Sequence, residues 1–244
     1  MNKLSQYYTN GFLKSEFKPG KLLDTFNKTL HDLHVSNHMR AGFKWEEKYP
    51  NTQDIRPSAF ALDVIFLDIL FENNIPQLLK ATIDQNLTLS HVQIRKVGPG
   101  PSYMDWHRDS YYVDDNLIGN MPPVHKIIFY PQVTKQQEIK LHILKGSHLC
   151  VVNQPKTSYL SPGFSTLDKQ LFQIMECISY ESSNREFILF NTSALHAVVP
   201  DTNVEGSIRI VYSFIHPDLY KEKYDHKDIH SKLNKEYEKR KGLV

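Results

Sequence analysis

His107, Asp109 and His196 lie far apart along the chain, and Arg209 follows them. Two imidazoles and one carboxylate form the set that holds non-haem Fe(II) on one face and leaves the opposite face open. The planar fork of Arg209 suits a carboxylate. The chemistry to expect is therefore a metal centre with an arginine placed to grip the distal carboxylate of a 2-oxo acid.

His-x-Asp by itself is a weak signal, and the chain carries it at His107-Arg108-Asp109, His216-Pro217-Asp218 and His226-Lys227-Asp228. The second pair has proline between its members. The third lies in a charged tail with His230 four residues after His226, which reads as a solvated polar face. The first pair follows a Gly/Pro turn and has Tyr103, Trp106, Tyr111 and Tyr112 as neighbours. On a strand, residues two apart point the same way, so His107 and Asp109 can reach one metal. His196 stands 87 residues beyond Asp109, and Arg209 13 residues beyond His196. Alternation puts Ser207, Arg209, Val211 and Ser213 on one strand face, and Ile208, Ile210, Tyr212 and Phe214 on the other. Taken singly, each histidine also reads as a satisfied structural residue, and Arg209 as the partner of a protein carboxylate.

The elements that must position these residues are legible in outline. Leu22, Leu23, Phe26, Leu30 and Leu33 recur at helical spacing. A second apolar segment opens at Pro57-Ser58 and runs to about Asp84, with Asn73-Asn74 as a turn and Pro76 as a break. It is apolar nearly all round and should pack against a sheet. From His91 the pattern becomes short β-rich runs between turns: 91–97, 124–133, 139–144, 187–190 and 208–215, which suggests a sandwich or barrel. Residues 153–183 read as an insertion or lid with a helix near 167–177. The dense charge from Asp218 to Lys241 reads as a solvated helix or a frayed end.

Trp106-His107-Arg108-Asp109, Leu144-Lys145-Gly146-Ser147-His148, Leu189-Phe190-Asn191 leading to Leu195-His196, and then Arg209, resemble the phytanoyl-CoA dioxygenase-like branch of the Fe(II)/2-oxoglutarate oxygenases. The resemblance covers about residues 87 to 215. It implies a mainly β fold with supporting α-helices, the double-stranded β-helix or jelly roll of a cupin-like barrel. One domain would span 1–244: mostly helical support over 1–86, the β-helix core over 87–216 with the insertion at 153–183, and a charged tail over 217–244. It further implies His107, Asp109 and His196 as iron ligands and Arg209 on the distal carboxylate of 2-oxoglutarate. Gln93, on the strand before the motif, is the polar residue expected to help hold that cosubstrate, with Arg95 on the same strand face. The hydroxyl that often stands two residues after the distal histidine is Val198 here, so Ser213 or Tyr212 must compensate. Gly146-Ser147-His148 would shape a turn, with His148 structural. Arg95, Arg108, Tyr111, Tyr112, Lys126 and Tyr130 are candidate substrate contacts, each also readable as core or surface.

The activity so implied is a dioxygenase that uses Fe(II), 2-oxoglutarate and O2 to hydroxylate a small polar or anionic metabolite, with release of succinate and CO2. Asp109 favours hydroxylation, because halogenases of this kind carry a small residue there. Alternatives are a peptide or protein hydroxylase, which needs an open groove, and a non-catalytic β-sandwich binding module. A cupin-type His-x-His is missing. The 29 basic and 27 acidic residues, net +2, do not point to nucleic acid or to an anionic membrane. Cys150 and Cys177 read as two thiols. The N-terminal residues lack the apolar run of a signal peptide and no stretch is apolar enough to span a bilayer, so a cytoplasmic protein is expected.

Overall fold

Alternation along the strand Ser207–Ile215 sets the layering of the molecule. Ile208, Ile210, Tyr212 and Phe214 join a core shared with the helices, while Val211 joins a second core with Ile128, Leu141, Phe190 and Val198. One face of the strand therefore packs outward on helices and the other looks inward between two sheets. The structure is a computed structural model, and it describes residues 2–35, 42–44, 52–55, 64–83, 86–97, 104–109, 124–131, 139–150, 170–181, 185–200, 207–217 and 228–242.

The described elements run α1 (Lys3–Asn10), β1 (Phe12–Glu16), α2 (Lys21–Val35), β2 (Gly42–Lys44), β3 (Thr52–Ile55), α3 (Ile65–Glu72) and α4 (Ile75–Ile83). They continue with β4 (Thr88–Val97), β5 (Met104–His107), β6 (His125–Phe129), β7 (Ile139–Leu144), β8 (Cys177–Glu181), β9 (Glu186–Asn191), β10 (His196–Pro200), β11 (Ser207–Ile215) and α5 (Asp228–Lys241). The larger sheet has the order β1-β9-β6-β11-β4-β3-β2 and the smaller β5-β10-β7-β8. All the pairings are antiparallel. From β4 onward the chain passes back and forth between the sheets, and the result is a double-stranded β-helix, the expected jelly roll.

The helices form for the reasons read in the sequence. In α2, Leu23, Phe26 and Leu30 are buried, with Leu22 and Leu33 packed at the margin. Asn73-Asn74 ends α3, Asn74 taking a positive φ of 53°, and Pro76 sits in the first turn of α4, where its missing N–H costs nothing. In α3, Ile65, Phe66, Leu67, Ile69 and Leu70 are buried against the outward face of the larger sheet.

Five strands were not anticipated: β1, β2, β3, β8 and β10; β5, the strand expected under His107 and Asp109, is present but short. The N-terminal support therefore contributes three strands to the larger sheet besides its helices. Cys177 begins a strand rather than ending a helix; of the helix expected near 167–177, residues 170–171 are helical, 172–174 form a turn, and 167–169 lie outside the described residues. These strands are three to five residues long. A run that short holds two periods of alternation at most, and partner strands supply its hydrogen bonds. The expected lid falls largely outside the described residues, at 153–169.

The charged tail also differs from expectation. Asp228–Lys241 is a helix, but Leu233 and Tyr237 on one face are buried, and Tyr237 meets Phe71 and Phe214. Polar ends bind it down: Asn234 Nδ2 donates to Thr88 Oγ1 and Leu89 O, and Arg240 pairs with Asp68 at 2.6 Å. No helix among the described residues is long and apolar enough to cross a membrane.

Candidate metal centre

β5 and β10 are neighbours in the smaller sheet, in register with His107 opposite His196. That register brings together two residues almost ninety positions apart. The two rings lie 4.3 Å apart between centroids. His107 Nε2 is 3.3 Å from Asp109 Oδ1, and His196 Nε2 is 3.3 Å from Asp109 Oδ2. One donor atom from each of the three residues lies within 4.8 Å of the others.

The expected geometry of the pair needs one correction. The strand ends at His107, and Asp109 lies in the bend beyond it. Its position is set by a backbone bond instead: Asp109 N–H donates to Thr192 O at 3.0 Å, in the loop that leads to His196.

The same loop is secured from a second side. Gly146 takes a φ of 80° to turn the chain after β7, Ser147 Oγ donates to Leu144 O, and Leu195 N–H donates to Ser147 Oγ at 2.8 Å. Arg108, a candidate substrate residue, is fully buried outside the cavity. Its Nη1 donates to Ser147 O and to Ser193 O, and its Nη2 reaches Cys150 O. Flanked by two candidate ligands that face the cavity, Arg108 faces the other way and ties together the two segments that carry them. His148 is structural, as expected, with Nε2 donating to Tyr8 O.

His196 Nδ1 lies 2.9 Å from Ala194 O. A carbonyl only accepts, so Nδ1 carries the proton and Nε2 presents its lone pair to the site. Burial and the neighbouring His107 hold the His196 pKa below the usual value, against the pull of Asp109. Burial would raise the Asp109 carboxyl, but the Lys126 ammonium beside it holds it well below the usual range. An ionised carboxylate beside a neutral imidazole is the state a cation requires. By its donor chemistry the set fits a divalent metal with three positions left open.

A cavity of about 190 Å³ adjoins the three residues. Gln93, Arg95, Lys126 and Arg209 line it, with Ile128, Phe190, Val198 and Val211 as apolar wall. Lys126 Nζ lies 2.7 Å from Asp109 Oδ2. Tyr130 is fully buried under Arg209, whose guanidinium carbon is 5.9 Å from its ring centre. Ser213 does not line the cavity; its hydroxyl lies 3.1 Å from His91 Nε2 and supports that ring. Tyr212 points into the helical core. Tyr111 and Tyr112 lie outside the described residues. His91 is a lining residue that sequence reasoning passed over, although alternation with Gln93 and Arg95 places it on their face.

No protein-family model and no curated protein matches the sequence. Solved structures do match the fold. The epimerase SnoN in complex with Fe3+, alpha-ketoglutarate and nogalamycin RO aligns over 87% of this chain and 82% of its own, with TM-score 0.66 and 9% identity. HygX from Streptomyces hygroscopicus, with nickel, 2-oxoglutarate and hygromycin B bound, aligns over 88% and 86%, with TM-score 0.59 and 15% identity. EctD from S. alaskensis with bound Fe aligns over 88% and 75%, with TM-score 0.60 and 12% identity.

Proposed function

We propose that this chain is a non-haem Fe(II)- and 2-oxoglutarate-dependent dioxygenase that hydroxylates a small polar or anionic metabolite. The observation that carries the reading is the convergence of His107, Asp109 and His196 at one wall of a cavity that also holds Arg209. Neighbours of the same fold bind iron or nickel, 2-oxoglutarate and small natural products, which supports it.

In this reading His107 and His196 supply two nitrogen ligands and Asp109 one oxygen. The bound metal and cosubstrate supply the oxidative chemistry, consuming O2 and releasing succinate and CO2. The protein's own part is placement. Arg209 orients the cosubstrate by its distal carboxylate, and Gln93 adds a polar contact on the neighbouring strand. Lys126 holds one oxygen of Asp109 and keeps the carboxylate ionised, the form in which it would hold the metal. The apolar wall of Ile128, Phe190, Val198 and Val211 excludes water. The cavity is smaller than the roughly 300–1,000 Å³ of drug-sized ligand sites. It suits a metal and a small dicarboxylate, with the reacting carbon of the substrate arriving at its mouth.

The test is anaerobic titration of metal-free protein with Fe(II) and then 2-oxoglutarate, following the weak visible charge-transfer band of the chelated cosubstrate. The band should form in the wild type, vanish in His107→Ala and require far more cosubstrate in Arg209→Ala. A folded wild type with excess Fe(II) and no band would overturn the reading in favour of a binding module on the same fold.

A further inference from the structure

Asp109 is the single carboxylate among the described residues that line the cavity, and two cations have a claim on it. One is the metal of the proposed centre. The other is Lys126, whose Nζ lies 2.7 Å from Asp109 Oδ2. The two side chains are only 19% and 20% exposed. Charges sheltered to that degree hold each other more firmly than a surface pair does.

The oxygen that Lys126 holds is also one that a metal needs. Oδ2 lies 3.3 Å from His196 Nε2, while Oδ1 faces His107. His196 Nδ1 directs its proton to Ala194 O, so Nε2 is a bare lone pair. Two acceptors that close repel unless positive charge stands beside them. A metal bonded to both would lie about 2.1 Å from Oδ2 and within about 5 Å of the ammonium, whatever its direction. At that range, in a site poorly screened by water, a divalent ion and an ammonium repel strongly. Lys126 is built to yield. Its stem is long and flexible, and its place on β6 is in register with Ser213 on β11, beside open cavity.

We propose that Lys126 is a built-in competitor for the metal: its ammonium holds Asp109 until a divalent cation displaces it. The inference rests on the metal centre proposed above and goes beyond it, because it sets how tightly that centre is loaded. Lys126 stabilises the fold without metal and lowers the affinity for metal by the same factor. Linkage makes these one quantity, since the contact that steadies the metal-free protein is lost on loading. A metal confined to Oδ1 would instead leave the ammonium in place and gain from it.

The experiment uses Ni(II), which stays divalent in air. Its affinity is measured by competition with a chelator, and thermal unfolding is followed with and without it, for wild type, Lys126→Met and Lys126→Gln. Both variants should bind Ni(II) about 10- to 100-fold more tightly than the wild type. Without metal they should melt about 3–10 °C lower, and with saturating Ni(II) that difference should vanish. The glutamine keeps a donor for Asp109 without the charge, and it carries the comparison if the methionine variant does not fold. Unchanged or weaker Ni(II) binding in the variants would overturn the proposal. So would a loss of stability that is the same with and without Ni(II), the mark of a lysine that merely packs. A wild type that binds no Ni(II) would remove the metal centre itself, an outcome distinct from these.

Discussion

Arg108 stands between two candidate metal ligands, and its side chain is not among those that line the cavity. It satisfies carbonyls of Ser147, Ser193 and Cys150 from a fully buried position. Arg108→Met should therefore cost on the order of 3 kcal/mol in urea unfolding, since orphaned buried carbonyls lose about 1–3 kcal/mol. It should also weaken Fe(II) binding by about 10- to 100-fold in a chelator competition, because the loop carrying His196 loses its tie to Asp109. His125 is the second residue with a measurable signature. Burial, and then the charge of His148, lower its pKa to about 3, and Tyr7 Oη lies 2.6 Å from its Nδ1. It is neutral in the folded state while the unfolded chain binds a proton near pH 6.5. Its stabilising contribution is thus complete above about pH 6.5 and is lost as pH falls toward 3, with a slope of up to about 1.4 kcal/mol per pH unit. Urea unfolding of metal-free protein between pH 4.5 and 7.5 should show that slope, and His125→Gln should flatten it.

At the scale of elements, the corner between α1 and β1 is fastened to the site. Gly11 caps α1 with φ +81°, and a Cβ there would stand 2.6 Å from His148 Nδ1. Gly11 O accepts from Asn191 N–H at the end of β9, and Asn10 O accepts from Gly146 N–H. The helix end, the turn after β7 and the loop before His196 thus lock together. Gly11→Ala should destabilise the fold by about 1–3 kcal/mol through left-handed backbone strain alone, with the contact to His148 added. His148→Ala in the same chain should recover only the contact part, read as the non-additive term of a double-mutant cycle. The long elements, α2, β4 and β11, were legible because several turns or alternations repeat the same signal. β10, which carries His196, was not, and β5 was expected only from the spacing of His107 and Asp109. Each is only four or five residues long, and its strand character comes from its partner.

Across the whole molecule, the C-terminal helix closes the helical core from outside. Tyr237 is fully buried between Phe71 and Phe214, so α5 joins α3 to the outward face of β11. The inward face of that same strand holds Arg209. Tyr237→Ala should cost about 3–5 kcal/mol in thermal or urea unfolding, as for other large-to-small changes in a core. Cosubstrate binding by the folded fraction should be little changed, because the cavity lies on the other side of the sheet. Equal loss of stability and of 2-oxoglutarate affinity would show that α5 positions β11 as well as supporting it.

Residue type and order determined the candidate ligands His107, Asp109 and His196, the arginine, and the face on which Arg209 lies. Chemistry restricts which side chains bind a metal, and strand alternation is a strictly local rule. Tertiary structure alone decided three things. It set His107 opposite His196, because strand register links residues distant in sequence. It turned Arg108 outward and gave Asp109 its place through a bond to Thr192, because loop backbone follows its hydrogen bonds and not a period. It placed Arg95 against Arg209 over Tyr130, because no local pattern says which inward-facing residues from separate strands share one end of a barrel.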